Sequence, residues 1–399
     1  MLKRTYYLNQ LKDLTNNDFV KVITGVRRSG KSVLLMQYRD YLKENDVPPE
    51  DIIYLNMESY EMSMVRDEAT LHKVLDPLMP KNHHFYLLLD EIQNVDGWQR
   101  VINGVRVSFD CDITVTGSNA KMLSGELATM LSGRYVQIPI YPFSFKEFLQ
   151  VKGISEDSDR LIKAFREYRN YGGFPAVVLA KENIKDTILS GIYDAVILND
   201  VAARGNLRDI SVLRDIVGFL ADDVGQLIKP TKIANTLTSN QIKTNVHTVQ
   251  RYMDLLEDAF LFYKVDQYDL RGKKFLSNNG KYFIVDTGLR RQAIGRRAGN
   301  YGNQLENIVY LELKRRGYDV SVGKLDDVEI DFIARKVDDV EYIQVTRQIP
   351  ENTHETDNLL KLKTGFKRMV ITEEIPENTR IEGIPIVNVV DWLLDNKNG

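Results

Sequence analysis

Asp18 to Leu42 reads DFVKVITGVRRSGKSVLLMQYRDYL. An apolar stretch of strand length runs into Gly25-Val26-Arg27-Arg28-Ser29-Gly30-Lys31-Ser32, and a segment of helical period follows. This is the G-x-x-x-x-G-K-S pattern of a phosphate-binding loop in the strand–loop–helix setting it requires. Gly25 and Gly30 let the backbone curl so that successive N–H groups, from Arg28 and Ser29 through Gly30, Lys31, Ser32 and Val33, point at phosphate oxygens. Lys31 adds a mobile positive charge, and the Ser32 hydroxyl suits a Mg²⁺ ligand. The implied cofactors are ATP and Mg²⁺, and the chain shows no guanine-reading motif.

A loop of this kind needs a second strand that ends in carboxylates. HHFYLLLDEIQNV, His83 to Val95, supplies five apolar residues and then Asp90 and Glu91. Asp90 suits the metal-organising role beside Ser32, while Glu91 is placed to orient the attacking water or take its proton, as in a hydrolase rather than a kinase. A third strand, CDITVTGSNAKML, ends in Ser118 and Asn119, polar groups that could read the γ-phosphate or hold the water. Arg134, just past a glycine and before another strand, is a candidate to reach a nucleotide held by a neighbouring subunit, which would make the protein a homo-oligomer; an ordinary surface arginine is the competing reading.

The chain has 399 residues, 43% hydrophobic and 27% charged, enough for two or three domains with their own cores. Its longest apolar runs are far short of the roughly 20 residues that span a bilayer, and MLKRTYYLNQL lacks the apolar core of a signal peptide, so no membrane partner and a cytoplasmic location are expected. Cys111 is the only cysteine, which excludes an internal disulfide and a multi-cysteine zinc site. The net charge of −3 hides one basic segment, Tyr268 to Arg297, with Arg271, Lys273, Lys274, Lys281, Arg290, Arg291, Arg296 and Arg297 against Asp269 and Asp286. Such a local excess suits a phosphate backbone; a solvated face is the bland alternative.

After Phe148 the pattern turns helical, and residues 149–225 read as a linker or lid in which YGGFP, Tyr171 to Pro175, is a turn. Residues 226–298 read as a winged helix. Ile233, Ala234 and Leu237 face inward on one helix, and Val246, Val249, Met253 and Leu256 on the next, with two strands and a basic turn behind them. His247 and Arg251 lie on the opposite face of the second helix, and Lys273 and Lys274 in the wing; these are the expected contacts to double-stranded DNA, although such modules also dock proteins.

Taken together, GVRRSGKS, LLLDEIQNVDGWQ, TGSNAKML, LSGRY, YPFSFKEF and YGGFP resemble a large prokaryotic family of AAA-type P-loop ATPases fused to a C-terminal nuclease-like domain. The resemblance covers essentially the whole chain. It implies an α/β, parallel-sheet ATPase core of the additional-strand type over residues 1–148, with Asp90 and Glu91 as its Walker B pair, and an α/β nuclease-like domain over 299–399. In that last part the order of a helix acid, a strand Asp and then a second strand resembles the PD-(D/E)xK nuclease fold. Glu306 and Asp331 match its first two acids, Gln344 stands at the second-strand acid, and Thr346 stands at the lysine. A neutral amide is a weaker Mg²⁺ ligand than a carboxylate, and threonine carries no positive charge, so this domain is expected not to cut. The leading expectation is an ATPase that remodels or signals from a nucleic-acid complex; an ATP-regulated nuclease and a nucleotide-switched protein scaffold are the alternatives.

Overall fold

Val20–Thr24 forms β1, and every one of its side chains is buried. A computed structural model of the protein describes residues 2–123, 131, 133–207, 209–295, 301–348, 354–362, 365–374 and 378–395. With β1, the strands β2 (Ile52–Asn56), β3 (Phe85–Asp90), β4 (Cys111–Gly117) and β5 (Tyr135–Pro139) make a parallel sheet in the order β2-β3-β4-β1-β5. Parallel strands covered on both faces lose the in–out alternation, which is why FYLLLD is a nearly unbroken apolar run and why even Lys21 and Thr24 of VKVIT are buried. Leu34, Leu35, Tyr38 and Leu42 of helix Lys31–Glu44 pack one face, with Tyr7, Leu8 and Leu11 of helix Thr5–Asp13. Trp98, Val101, Ile102 and Val105 of helix Trp98–Ser108 pack the other. β4 sits between the strand that carries the phosphate loop and the strand that ends in Asp90, the additional-strand order. Lys21, inside β1, is buried and ion-paired with Asp112 on β4; burial lowers its pKa against the pull of that carboxylate.

The chain divides into two units, Met1–Ile140 with Asp258–Phe260, and Tyr141–Glu257 with Leu261–Gly399. The first unit thus ends at Ile140, and helix Phe145–Lys152 packs with the second unit. The cause is aromatic packing: Phe145 and Phe148 on helix Phe145–Lys152 meet the rings of Phe165 and Tyr168 on helix Leu161–Tyr171.

The second unit is built on a nine-stranded sheet. In chain order its strands are β6 (Leu227–Ile228), β7 (Phe262–Asp269), β8 (Lys274–Ile284), β9 (Asp319–Leu325), β10 (Val328–Lys336), β11 (Asp339–Thr346), β12 (Lys367–Thr372), β13 (Arg380–Ile381) and β14 (Ile384–Asn388). Across the sheet the order is β13-β14-β12-β11-β10-β9-β7-β8-β6. β7 pairs in parallel with β9 through Gln267 and Val322, Tyr268 and Gly323, and Asp269 and Lys324. Residues 226–298 and 299–399, expected as separate domains, thus share one hydrogen-bonded sheet. Helices Pro230–Ser239 and Val246–Asp258 precede β7, burying Ile233, Ala234 and Leu237 on the first and Val249, Tyr252, Met253 and Leu256 on the second. Val246, expected on the inner face, is 42% exposed, and Tyr252 is buried instead. Among the described residues no helix is long and apolar enough to cross a membrane.

Candidate functional site

The loop after β1 is held in a shape that only some residues permit. Gly25 has φ +146°, and a Cβ there would stand 2.2 Å from the Ile140 carbonyl oxygen, so a side chain is excluded by both conformation and space. Arg28 takes φ +65° with its side chain exposed, and Gly30 at φ +103° caps helix Lys31–Glu44. The curl leaves backbone N–H groups at the start of a helix, the setting that favours an anion. Arg4, buried, donates from Nη1 to the Ser29 carbonyl oxygen at 3.3 Å and so braces the loop from behind. Ser29 Oγ is buried, and no described residue hydrogen-bonds to it. Lys31 is 3% exposed, with Nζ 3.3 Å from the Val26 carbonyl oxygen and 3.3 Å from Glu91 Oε1. Val33 exposes its side chain, which leaves its backbone as the part suited to the loop's role.

β3 delivers the two acids to the same edge of the sheet. Asp90 is fully buried: the Thr116 hydroxyl donates to Oδ1, and Asn56 Nδ2 and the Tyr54 hydroxyl donate to Oδ2 at 3.3 and 3.4 Å. Burial pushes the Asp90 carboxyl up, with hydrogen bonds from Thr116 and Ser32 opposing it and the Glu91 charge adding to it. Glu91 takes a left-handed backbone, φ +53°, and its N–H donates to Thr116 Oγ1 at 2.9 Å. An outlier of this kind at a charged residue turns the second carboxylate away from the strand's path. Burial works to raise the Glu91 pKa, yet Lys31, a hydrogen bond from Gln93 and the charge of Arg27 outweigh it and hold the carboxyl below its ordinary value. Two adjacent acids are thereby pushed in opposite directions, the arrangement that separates an ionised base from a second acid of different role.

Thr116, Gln93, Asn56 and Arg4 are missed by motif reading. Only Thr116, two residues before Ser118 on the strand beside β3, carries a signal that could have found it. Gln93 Nε2 donates to Glu91 Oε2 and lies 3.3 Å from Ser118 Oγ, linking Glu91 to the end of β4. Asn119 is half-buried at that end. Arg134 is exposed at the opposite edge of the sheet, where its carbonyl oxygen accepts from the first residue of β1, Val20, at 3.1 Å. The five residues of β1, at about 3.3 Å each, put about 16 Å between that edge and the loop. Arg134 is out of reach of its own chain's loop.

The second unit gathers another group of charges. Glu306 on helix Tyr301–Arg315, Asp331 on β10 and Gln344 on β11 come together around Lys281 of β8 and the Asp331 backbone. Asp331 sits where the β9–β10 register shifts between Ile330 and Ile333, an irregularity that re-aims side chains. Its N–H donates to Gln344 Oε1 at 3.4 Å, and its Oδ2 accepts from the Val345 N–H at 2.9 Å. Thr346 donates to the Gln348 carbonyl oxygen at 2.8 Å. Two members of the group were not anticipated there, Glu329 and Lys281. Lys281 Nζ lies 3.2 Å from Glu306 Oε2, 2.8 Å from Glu329 Oε1 and 3.2 Å from Asp331 Oδ1. Burial opposes its charge, but Asp331, Glu306 and Glu329 outweigh that and raise its pKa, while burial and the Asp331 charge push Glu306 up against the pull of Lys281.

The basic segment is therefore not one surface. Lys281 is turned into the carboxylates. Arg290 is buried and donates to the Ala221 carbonyl oxygen at 2.7 Å, and Arg291 pairs with Asp186 at 3.1 and 3.2 Å. Arg271 pairs with Asp326, whereas Lys273 and Lys274 are exposed at the tip of the β7–β8 hairpin. His247 is exposed on the first turn of its helix, and Arg251 donates to the Gly205 carbonyl oxygen at 2.7 Å. Arg296 and Arg297 lie outside the described residues.

A family model described as an AAA domain matches residues 17–149, and one described as a domain of unknown function matches residues 162–300. An uncharacterized protein of Haemophilus influenzae is 57% identical over 395 residues, 99% of each chain. Another, of Methanocaldococcus jannaschii, is 31% identical over 351 residues, 85% of this chain and 77% of that one. Among solved structures the Walker-type ATPase of Pyrococcus abyssi aligns with a TM-score of 0.50 at 14% identity, over 73% of this chain and 96% of that one, a likeness of fold. The parallel sheet, its phosphate loop and these relatives agree: the chain belongs to the same family of AAA-domain P-loop proteins as its Haemophilus influenzae and Methanocaldococcus jannaschii counterparts.

Proposed function

We propose that the protein is a Mg²⁺-dependent ATPase that acts on, or signals from, double-stranded DNA, with a C-terminal nuclease-like region that does not cut. The observation that carries the ATPase reading is the meeting of Lys31, Asp90 and Glu91 at one edge of the parallel sheet, with the two acids held in different protonation environments. The residues fit the cofactor. Ser29 offers a buried hydroxyl with no described partner, Lys31 a buried ammonium, and Ser32 and Asp90 a hydroxyl and a carboxylate in mutual contact, suited to Mg²⁺. Bound Mg²⁺·ATP supplies the phosphoanhydride and the charge that polarises it; Glu91, ionised and braced by Gln93, takes the proton of a water or orients it.

DNA contact is read from a different set of elements. Helices Pro230–Ser239 and Val246–Asp258 with the β7–β8 hairpin have winged-helix order, His247 is exposed at a helix start, and Lys273 and Lys274 are exposed at the hairpin tip.

The test is a pair of variants assayed for both binding and turnover. Lys31→Ala should lose nucleotide binding, whereas Glu91→Gln should bind nearly as wild type and lose hydrolysis by about 10²- to 10⁴-fold, the range expected on removal of a general base. Equal loss of binding in both variants would show that Glu91 has been given the wrong role. A polyanion-binding series over salt decides the DNA part, since phosphate contact predicts a steep fall.

A further inference from the structure

The carboxylate group of the second unit raises a question that the nuclease-like reading does not answer: which cation neutralises it. A cutting enzyme of that fold would hold a divalent ion with Glu306, Asp331 and the oxygen of Gln344. Those atoms are otherwise engaged here. Gln344 Oε1 accepts from the Asp331 N–H, Asp331 Oδ2 accepts from the Val345 N–H, and the remaining Asp331 oxygen and Glu306 Oε2 each lie 3.2 Å from the ammonium of Lys281. Glu329, 38% exposed at its side chain, adds a third carboxylate at 2.8 Å. Lys281 is only 2% exposed and comes from β8, outside the hairpin that bears Asp331 and Gln344. Gly225 completes the enclosure, since a Cβ there would stand 2.9 Å from Glu306 Oε2.

We propose that the Lys281 ammonium is the resident cation of this cage, occupying by covalent tether the place that a divalent metal would take. A divalent ion would have to compete for the same oxygens against a charge that is never diluted and that is held by three carboxylates at once. A buried lysine is stable as a cation only with such partners, and three buried or half-buried acids need a cation for the same reason. The arrangement makes the two absences in the hairpin intelligible. With a lysine already seated from β8, neither an acid at 344 nor a lysine at 346 has a charge left to serve.

The inference extends the non-cutting reading of this region and is tested on the full chain without nucleotide, by electron paramagnetic resonance of free Mn²⁺ during titration. Wild type and Asp331→Asn should bind the same number of Mn²⁺ ions, because no ion enters the cage in either. Lys281→Gln should bind one ion more, and Lys281→Gln with Asp331→Asn should lose it. A Mn²⁺ site in wild type that disappears in Asp331→Asn overturns the proposal, as does a folded Lys281→Gln protein with no added site. If Lys281→Gln does not fold, the wild-type comparison still decides, and Glu329→Gln at the exposed rim replaces Asp331→Asn should that variant fail as well. Plasmid incubated in parallel with Mg²⁺ or Mn²⁺ separates the two ideas: an Asp331-dependent ion without nicking overturns the lysine alone, whereas Asp331-dependent nicking by wild type sinks the non-cutting reading also.

Discussion

Glu91 and Asp90 are bonded neighbours, yet a left-handed backbone at Glu91 and the hydroxyl of Thr116 give each its own surroundings. For Glu91 burial alone would raise the pKa, and Lys31 with Gln93 and Arg27 reverses the sign. A carboxyl held below its unfolded value of 4.5 contributes stability above that pH, and the contribution disappears as pH falls through the folded value. Removing the charge should therefore cost stability at neutral pH and much less in acid. Urea unfolding of wild type and Glu91→Gln from about pH 7 down to about pH 2 tests the sign; a gap that widens in acid would mean that Lys31 does not hold the carboxylate ionised. Gln93 has a narrower role, as a positioning residue for that carboxylate. A hydrogen bond to a charged group contributes about 1.5–3 kcal/mol, so Gln93→Ala should slow turnover by about tenfold or more while nucleotide affinity is nearly unchanged. Loss in KM with kcat intact would place Gln93 in binding instead.

Elements decide what the basic segment does. Asp269 Oδ1 accepts the N–H groups of Arg271 and Gly272, each at 3.0 Å, and so fixes the tip of the β7–β8 hairpin with Lys273 and Lys274 in solvent. Helix Thr287–Ile294 instead turns Arg290 inward, where its loss leaves the Ala221 carbonyl oxygen unpaired. Lys273→Gln with Lys274→Gln should thus lower the salt slope of DNA binding by about 0.9 per charge, about 1.8 in all, with stability unchanged. Arg290→Gln should lower stability by about 1–3 kcal/mol and leave the slope alone. The reverse pattern, measured by salt-series binding and denaturant unfolding, would move the DNA surface from the hairpin tip to the helix. The contrast also marks what a sequence makes legible. The phosphate loop and the Asp90–Glu91 pair are readable because each is a short run whose geometry is set by its own backbone. Val246 and Tyr252 exchange their expected burial because helical phase alone does not say which flank meets the core. Lys281 is misread because a count of charges along the chain is blind to the β7–β9 pairing, which brings segments about fifty residues apart to one sheet. Asn56 is unreadable for the same reason, since it reaches Asp90 only through the order of the strands, and Arg4 because nothing in its own stretch marks the contact with the Ser29 carbonyl oxygen.

At the scale of the molecule, the chain divides its sheets between two units, one five-stranded and parallel, the other nine-stranded and mixed. The expected independence of a DNA-binding segment and a C-terminal segment gives way to one continuous ladder, so a cut between residues 298 and 299 would separate strands that are hydrogen-bonded to each other. The first unit has Lys31, Asp90 and Glu91 at the carboxyl ends of its strands and Arg134 at the opposite ends. A guanidinium about 16 Å from the loop of its own chain cannot steady charge there, but the distance is no obstacle if a second copy brings its Arg134 edge to the loop. That geometry makes a prediction about mixtures. Arg134→Ala protein should hydrolyse ATP poorly alone, since every loop faces a missing arginine, and Lys31→Ala protein should be inactive because every loop is broken. Mixed, the two should recover activity, because an intact loop on the first variant can meet an intact arginine on the second, and the recovered rate should rise with total protein concentration. Light scattering under assay conditions supplies the independent check: a monomer that turns over ATP at the full rate removes the role from Arg134 and leaves it a surface arginine.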